Sequence, residues 1–304
     1  MKSYDILILG GGPAGLTAGI YAGRAQLKVA LLEKLAPGGQ VAVTEWIENY
    51  PGFEEGVSGA ELMQRTQKQA KKFGLEFLTG TITDIDIKGA VKKVKTNQEE
   101  YQAKAIIIST GTEHKLLGVP GEEKFNGRGV SYCATCDGPF FKDKDIVVVG
   151  GGNSGIQEGL YLTRFVHSIK LVEFLDHLNA EKILQHKAQE SNKFTFFLNH
   201  KVLSINGEQK VTSVSVEDRK TGKSKELQAD GVFIWVGMIP NTEFLQGTVE
   251  LDEYGYIITD EKMQTSIPGV YAAGDVRKKD IHQIVTALGD GAIAAEFALK
   301  YLEK

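Results

Sequence analysis

Two cysteines stand three residues apart, Cys133-Ala134-Thr135-Cys136, and the chain has no others. A CxxC closes a small ring and lends itself to thiol–disulfide exchange, with one thiolate lowered in pKa. The same spacing is also half of a zinc site, or simply two inert thiols. Structural zinc takes four ligands, there is no second CxxC, and the six histidines do not cluster with this one in sequence. A metal reading therefore needs ligands shared between subunits. Asp137 directly follows the pair. Asp137-Gly138-Pro139 reads as a turn.

The glycines supply the second chemistry. There are 35 in 304 residues, well above an ordinary share of about 7%, and many fall in a repeat. The apolar run YDILIL at 4–9 leads into Gly10-Gly11-Gly12-Pro13-Ala14-Gly15, then a helical stretch, then Val29 to Leu32 ending in Glu33. The pattern recurs 140 residues later. DIVVV at 145–149 leads into Gly150-Gly151-Gly152-Asn153-Ser154-Gly155, a second helical stretch, and Ile169 to Val172 ending in Glu173. Each copy reads strand, GxGxxG, helix, strand, acid, the dinucleotide-binding βαβ unit. The first glycine permits the tight turn, the second lets pyrophosphate approach the backbone, and the third lets helix and strand pack closely. The helix N-terminus offers unpaired N–H groups to the phosphates, and the terminal acid can accept both hydroxyls of an adenosine ribose. Two dinucleotides in one chain suggest a flavoprotein that takes hydride from a nicotinamide, a setting that favours the redox reading of the CxxC.

The bulk properties exclude several classes. Hydrophobic residues at 42% and charged residues at 24% are ordinary for a globular protein, and the length predicts about two domains. Net charge is −4, with no basic run to hold nucleic acid. Two cysteines cannot make a secreted disulfide framework. No apolar run approaches the ~18–20 residues of a membrane span. The run at 6–9 is too short for a signal-peptide core, so the chain is read as cytoplasmic.

Taken together the motifs resemble a family, the low-molecular-weight, bacterial-type thioredoxin reductases, almost end to end. They are GGGPAGLTAGIYAGRA at 10–25, PGGQ at 37–40, IENYPGF at 47–53, STG at 109–111, SYCATCDGPFF at 131–141, VGMIPNT at 236–242 and VYAAGDV at 270–276. The CATCDG segment is the most specific. The resemblance implies an α/β fold of two Rossmann-like domains, the nicotinamide domain inserted into the FAD domain. Residues 1–114 and 242–304 would hold FAD; residues 115–241 would hold NAD(P)H and carry the CxxC. FAD would meet Gly10, Gly12, Pro13, Ala14, Gly15 and Glu33 of the first fingerprint. Gly39, Gln40, Asn49, Thr110 and Gly111 would follow in the loops, with Gly274, Asp275 on the ribitol, and Gln283 and Ile284 at the start of the last helix. The nicotinamide nucleotide would meet Gly150, Gly152, Asn153, Ser154, Gly155 and Glu173. By the same resemblance Cys136 faces the flavin, Cys133 is the interchange thiol that attacks a thioredoxin disulfide, and Asp137 is the general acid. A homodimer is implied too, as is a rotation of the inserted domain that exposes the dithiol, with Phe140 and Phe141 as an apolar docking patch and Arg128 nearby.

The second fingerprint departs from the family. Members that use NADPH generally carry His-Arg-Arg and a further Arg after this strand, gripping the 2′-phosphate. Here the stretch is Glu173-Phe174-Leu175-Asp176-His177-Leu178-Asn179-Ala180, without an arginine. Glu173 suits a free ribose diol and repels a phosphate dianion, so NADH is the expected donor. The missing arginines also admit a ferredoxin-like donor, and the intact GxGxxG argues against one. The reaction expected is electron transfer from NAD(P)H through FAD and the Cys133–Cys136 disulfide to thioredoxin. The alternatives are a glutaredoxin-like or peroxidase partner, a ferredoxin-driven reductase, or a flavin-binding module with structural cysteines. QRTQKQAKK at 64–72 reads as a solvated helix face, EDRKTGKSK at 217–225 as a hairpin loop, and His282 as non-catalytic.

Overall fold

A computed structural model describes residues 1–304. The chain forms two compact units, Met1–Glu113 with Ile239–Lys304, and His114–Met238. No helix is long and apolar enough to cross a membrane.

The first unit begins with β1 (Lys2–Leu9), α1 (Pro13–Arg24) and β2 (Val29–Glu33). It continues with α2 (Gly59–Lys72), β3 (Glu76–Thr79), β4 (Ile82–Asp86), β5 (Lys92–Thr96) and β6 (Glu100–Ile108). β1 pairs in parallel with both β2 and β6. It is covered on both faces, so Ile6, Leu7, Ile8 and Leu9 are all buried and the strand reads as an unbroken apolar run. β5, paired antiparallel with both β4 and β6, alternates buried and exposed residues, as an antiparallel strand with one wet face does. α2 runs from 59, N-capped by Ser58, whose hydroxyl accepts the Glu61 N–H at 3.2 Å. The solvated helix read at 64–72 is its C-terminal part.

The chain leaves this unit along β7 (Thr112–His114). The second unit comprises β8 (Val130–Ser131), α3 (Ala134–Asp137), β9 (Asp145–Val149), α4 (Asn153–Leu162), β10 (Ser168–Val172), α5 (Lys182–Glu190) and β11 (Phe194–Phe197). Then come β12 (His200–Gly207), β13 (Val211–Asp218), β14 (Ser224–Gln228) and β15 (Gly231–Ile234). A parallel sheet of order β11-β10-β9-β15-β8 lies beside an antiparallel one of order β12-β13-β14. The loop read at 217–225 is the β13–β14 turn, closed by the Asp218 N–H on Lys223 O and by Gly222 at φ +69°.

After β16 (Met238–Pro240) the chain completes the first unit with β17 (Val270–Ala272), parallel to β6, and α6 (Ile284–Leu302). Gln283 and Thr286 form a capping box at the start of α6. Each unit holds two apolar clusters. One set packs Ile8, Leu16 and Ala294, and Leu7, Ile106 and Val270. The other packs Val148, Ile156 and Phe233, and Val147, Val214 and Ile234.

Candidate functional site

Both glycine turns are built alike. In the first, Gly10 takes φ +105°, and a Cβ there would lie 2.3 Å from the Ser109 carbonyl oxygen. A Cβ on Gly15 would sit 2.1 Å from Gly10 O, whereas one on Gly12 would meet nothing within 4 Å. The first and third glycines are therefore packing requirements, and the second faces open space. The first i→i−4 bond of α1 is Leu16 N–H to Gly12 O. The amides of Ala14 and Gly15 precede it, after a proline that has no N–H to lose.

Of the other residues expected at FAD, Gly39 and Gly274 approach this turn. Gly39, at φ +57°, brings its would-be Cβ to 3.2 Å from Gly12 Cα, and that of Gly274, at φ +80°, comes 2.9 Å from Ala14 Cβ. Glu33 accepts the Gly11 N–H at 2.7 Å on one carboxylate oxygen and the Lys34 N–H at 2.7 Å on the other. Gln40 donates to Thr112 O at 2.5 Å, and Asn49 donates to the Gln283 side chain at 3.1 Å, next to Ile284, the first residue of α6. Thr110 donates to Asn241 O at 2.8 Å, the Asn241 side chain donates back to Thr110 O at 2.9 Å, and Gly111 sits at φ +64°. Asp275 Oδ1 is buried without a hydrogen bond, with Lys279 Nζ 3.2 Å away as an ion partner.

Sequence reasoning missed Ser109, which donates to Gly10 O at 2.9 Å, and Asn241. It also missed Asp290 on α6, which accepts the Gly274 N–H at 3.1 Å and lies 3.4 Å from Arg277 and 3.2 Å from Lys279. The serine and Asn241 were legible only as parts of STG and IPNT. A lone buried carboxylate in a helix leaves no motif.

In the second turn Gly150 takes φ +111°, with a would-be Cβ 2.0 Å from Trp235 O, and that of Gly155 would lie 2.0 Å from Gly150 O. Gly152 again faces open space. Glu173 is buried at 8% exposure. It accepts the Gly151 N–H and, at 2.8 Å, the Leu175 N–H. The segment after it folds back on the turn: Asn179 N–H donates to Gly151 O at 3.0 Å, and the Asn153 side chain accepts the Glu181 N–H at 2.7 Å. Ser154 is exposed.

The cysteines form a disulfide, with Cα atoms 5.4 Å apart. The Cys133 sulfur accepts the Cys136 N–H at 3.2 Å and lies 3.3 Å from the Thr135 hydroxyl. Cys133 is half-buried and Cys136 exposed. Asp137 is half-buried, and its carboxylate has no partner. Behind the pair, Tyr132 donates to Glu122 at 2.7 Å, and burial followed by that carboxylate pushes its phenol well above the ordinary value. The expected two-phenylalanine patch needs correction. Phe140 is 73% exposed, but Phe141 is 9% exposed and packs edge-on against Phe233 at 5.2 Å. It is core, because Gly231 leaves a hollow that its ring fills.

Two dinucleotide turns and a bonded CxxC define a flavin-dependent disulfide oxidoreductase. The family model described as pyridine nucleotide-disulphide oxidoreductase matches residues 4–291. The chain is 47% identical over 304 residues to thioredoxin reductase of Bacillus subtilis, covering all of this chain and 96% of that one. Among solved structures it is similar to Lactococcus lactis thioredoxin reductase (FR conformation), with TM-score 0.97, 45% identity and 99% of each chain covered. The thioredoxin reductase of T. acidophilum matches with TM-score 0.94 and 40% identity over 100% of this chain and 99% of that one. The chain belongs to the pyridine nucleotide-disulphide oxidoreductases and, within them, to the bacterial-type low-molecular-weight thioredoxin reductases.

Proposed function

We propose that this enzyme carries electrons from NADH through FAD to the Cys133–Cys136 disulfide and on to thioredoxin, as a cytoplasmic homodimer. The carrying observation is that disulfide in a chain with two open-mouthed dinucleotide turns. FAD fits the first unit: Gly12 leaves room for its pyrophosphate, and Asp275 Oδ1, buried with the Lys279 ammonium 3.2 Å away, keeps lone pairs that a ribitol hydroxyl could use. Bound there, FAD supplies two-electron relay between a nicotinamide and a disulfide. Glu33 and Glu173 each accept N–H donors on both carboxylate oxygens. That fixes their orientation and leaves lone pairs for ribose hydroxyls.

Two electrons and a proton open Cys133–Cys136 to a thiolate and a thiol. The Cys133 thiolate is stabilised by donation from the Cys136 N–H and the Thr135 hydroxyl. It attacks one sulfur of the thioredoxin disulfide, making a mixed disulfide and releasing a thiolate that Asp137 protonates. Cys136 then attacks Cys133, the second thioredoxin thiol leaves, and the disulfide re-forms.

Anaerobic mixing of the FAD-loaded protein with one equivalent of NADH, and separately of NADPH, tests the donor. Fast bleaching by NADH and slow bleaching by NADPH is expected, with colour restored by oxidised thioredoxin. The reverse preference overturns the role of Glu173. Bleaching by neither makes a ferredoxin-like donor the better reading, and colour that thioredoxin fails to restore overturns the partner.

A further inference from the structure

Another part of the fold brings a cation to the residue that follows Glu173. Phe174 follows Glu173 directly and is 52% exposed. The β13–β14 turn is pinned by Asp218, whose carboxylate accepts the Lys220 N–H at 2.8 Å. That turn lays Arg219 on the ring, with the guanidinium carbon 3.6 Å from the centroid. Arg219 Nη1 donates to Phe174 O at 2.9 Å, and the Arg219 N–H donates to Asn199 O at 2.9 Å. No carboxylate pairs with the guanidinium, so its outer face and its Nε and Nη2 donors remain uncommitted. A planar cation clamped on an aromatic ring, one residue beyond the acid that meets the adenosine ribose, is a stacking surface for a heteroaromatic base.

We propose that Phe174 and Arg219 form the adenine-binding shelf of the second dinucleotide site. The proposal rests on the reading of that site as the nicotinamide nucleotide's. Arg219 serves the base and not a 2′-phosphate, because Glu173 beside it would repel the dianion. The shelf therefore strengthens the part common to NADH and NADPH, and Glu173 alone chooses between them.

The test is calorimetric binding of ADP-ribose to the FAD-loaded protein, with Arg219→Ala and Arg219→Gln as independent variants and Arg219→Lys as the conservative one. Expected is a rise in Kd of about tenfold for Ala and Gln, with little rescue by Lys, since an ammonium does not stack as a guanidinium does. KM for NADH rises in parallel while kcat and the NADH-to-NADPH preference stay unchanged. An unaltered Kd in both neutral variants overturns the shelf, as does a loss confined to NADPH, which would make Arg219 a phosphate reader. Wild-type protein that binds no ADP-ribose overturns the nicotinamide reading and the shelf together. Wild-type binding with unaffected variants overturns the shelf alone.

Discussion

At the CxxC each neighbouring group bears on one atom. The Cys136 amide and the Thr135 hydroxyl point at the Cys133 sulfur, so charge on that sulfur is favoured while Cys136 stands exposed beside it. Asp137 carries a carboxylate that no hydrogen bond or ion pair holds, on the residue after Cys136. A structural acid is tied down, and an acid that trades protons with a substrate is better left untied. Asp137→Asn should lower turnover with thioredoxin roughly 10²-fold, within the usual range for a positioned acid. Flavin bleaching by the nucleotide should keep its wild-type rate. Stopped-flow measurement of the two half-reactions checks this, and equal slowing of both would show that the carboxylate acts on folding or cofactor seating.

At the scale of elements, a strand–turn–helix works only if its neighbours hold it in register. Asp5 on β1 accepts from Lys104 Nζ of β6 at 2.8 Å and from the Lys28 N–H, just before β2, at 3.0 Å. One carboxylate thus ties the three strands behind the first glycine turn. The Lys104 hydrogen bond, followed by that of Lys28, holds its carboxyl below the ordinary value. Because the folded-state pKa lies below the unfolded one, the contribution is complete above about pH 4. It disappears as pH falls through the lower folded value. Asp5→Asn should therefore cost about 1 kcal/mol near pH 7, and wild type and variant should converge in acid. Urea midpoints at both pH values measure it; a gap that persists in acid would mean packing, not charge, is lost. The β13–β14 hairpin shows the same dependence on neighbours, since its tip matters only through the strand end it reaches.

At the scale of the molecule, the division into two units is also a division of cores. Each apolar cluster is drawn from residues of one unit, so each unit satisfies the condition for folding by itself. His114–Met238 is moreover continuous in sequence. Expressed alone, it should unfold cooperatively and keep the Cys133–Cys136 disulfide. Thermal unfolding followed by near-ultraviolet circular dichroism checks this, and a broad transition without tertiary signal would show that it depends on the rest of the chain.

The βαβ units were legible because their signals are local. An apolar run, three glycines at fixed spacing and an acid 18 residues on lie within one stretch of chain, and the first and third glycines each answer to a backbone atom within that stretch or at a neighbouring strand end. The CxxC and the absence of arginine from 173–180 were readable for the same reason. The sequence could not reveal that Phe141 enters the core while Phe140 stays out. Adjacent identical residues differ only in which one finds a hollow, and Gly231 provides it from 90 residues away. Nor could it place Arg219 on Phe174, or Asp290 beneath Gly274. Those pairs are joined by a hairpin and by a helix packing back on a strand end, and side chains brought together that way leave no spacing in the sequence to be read.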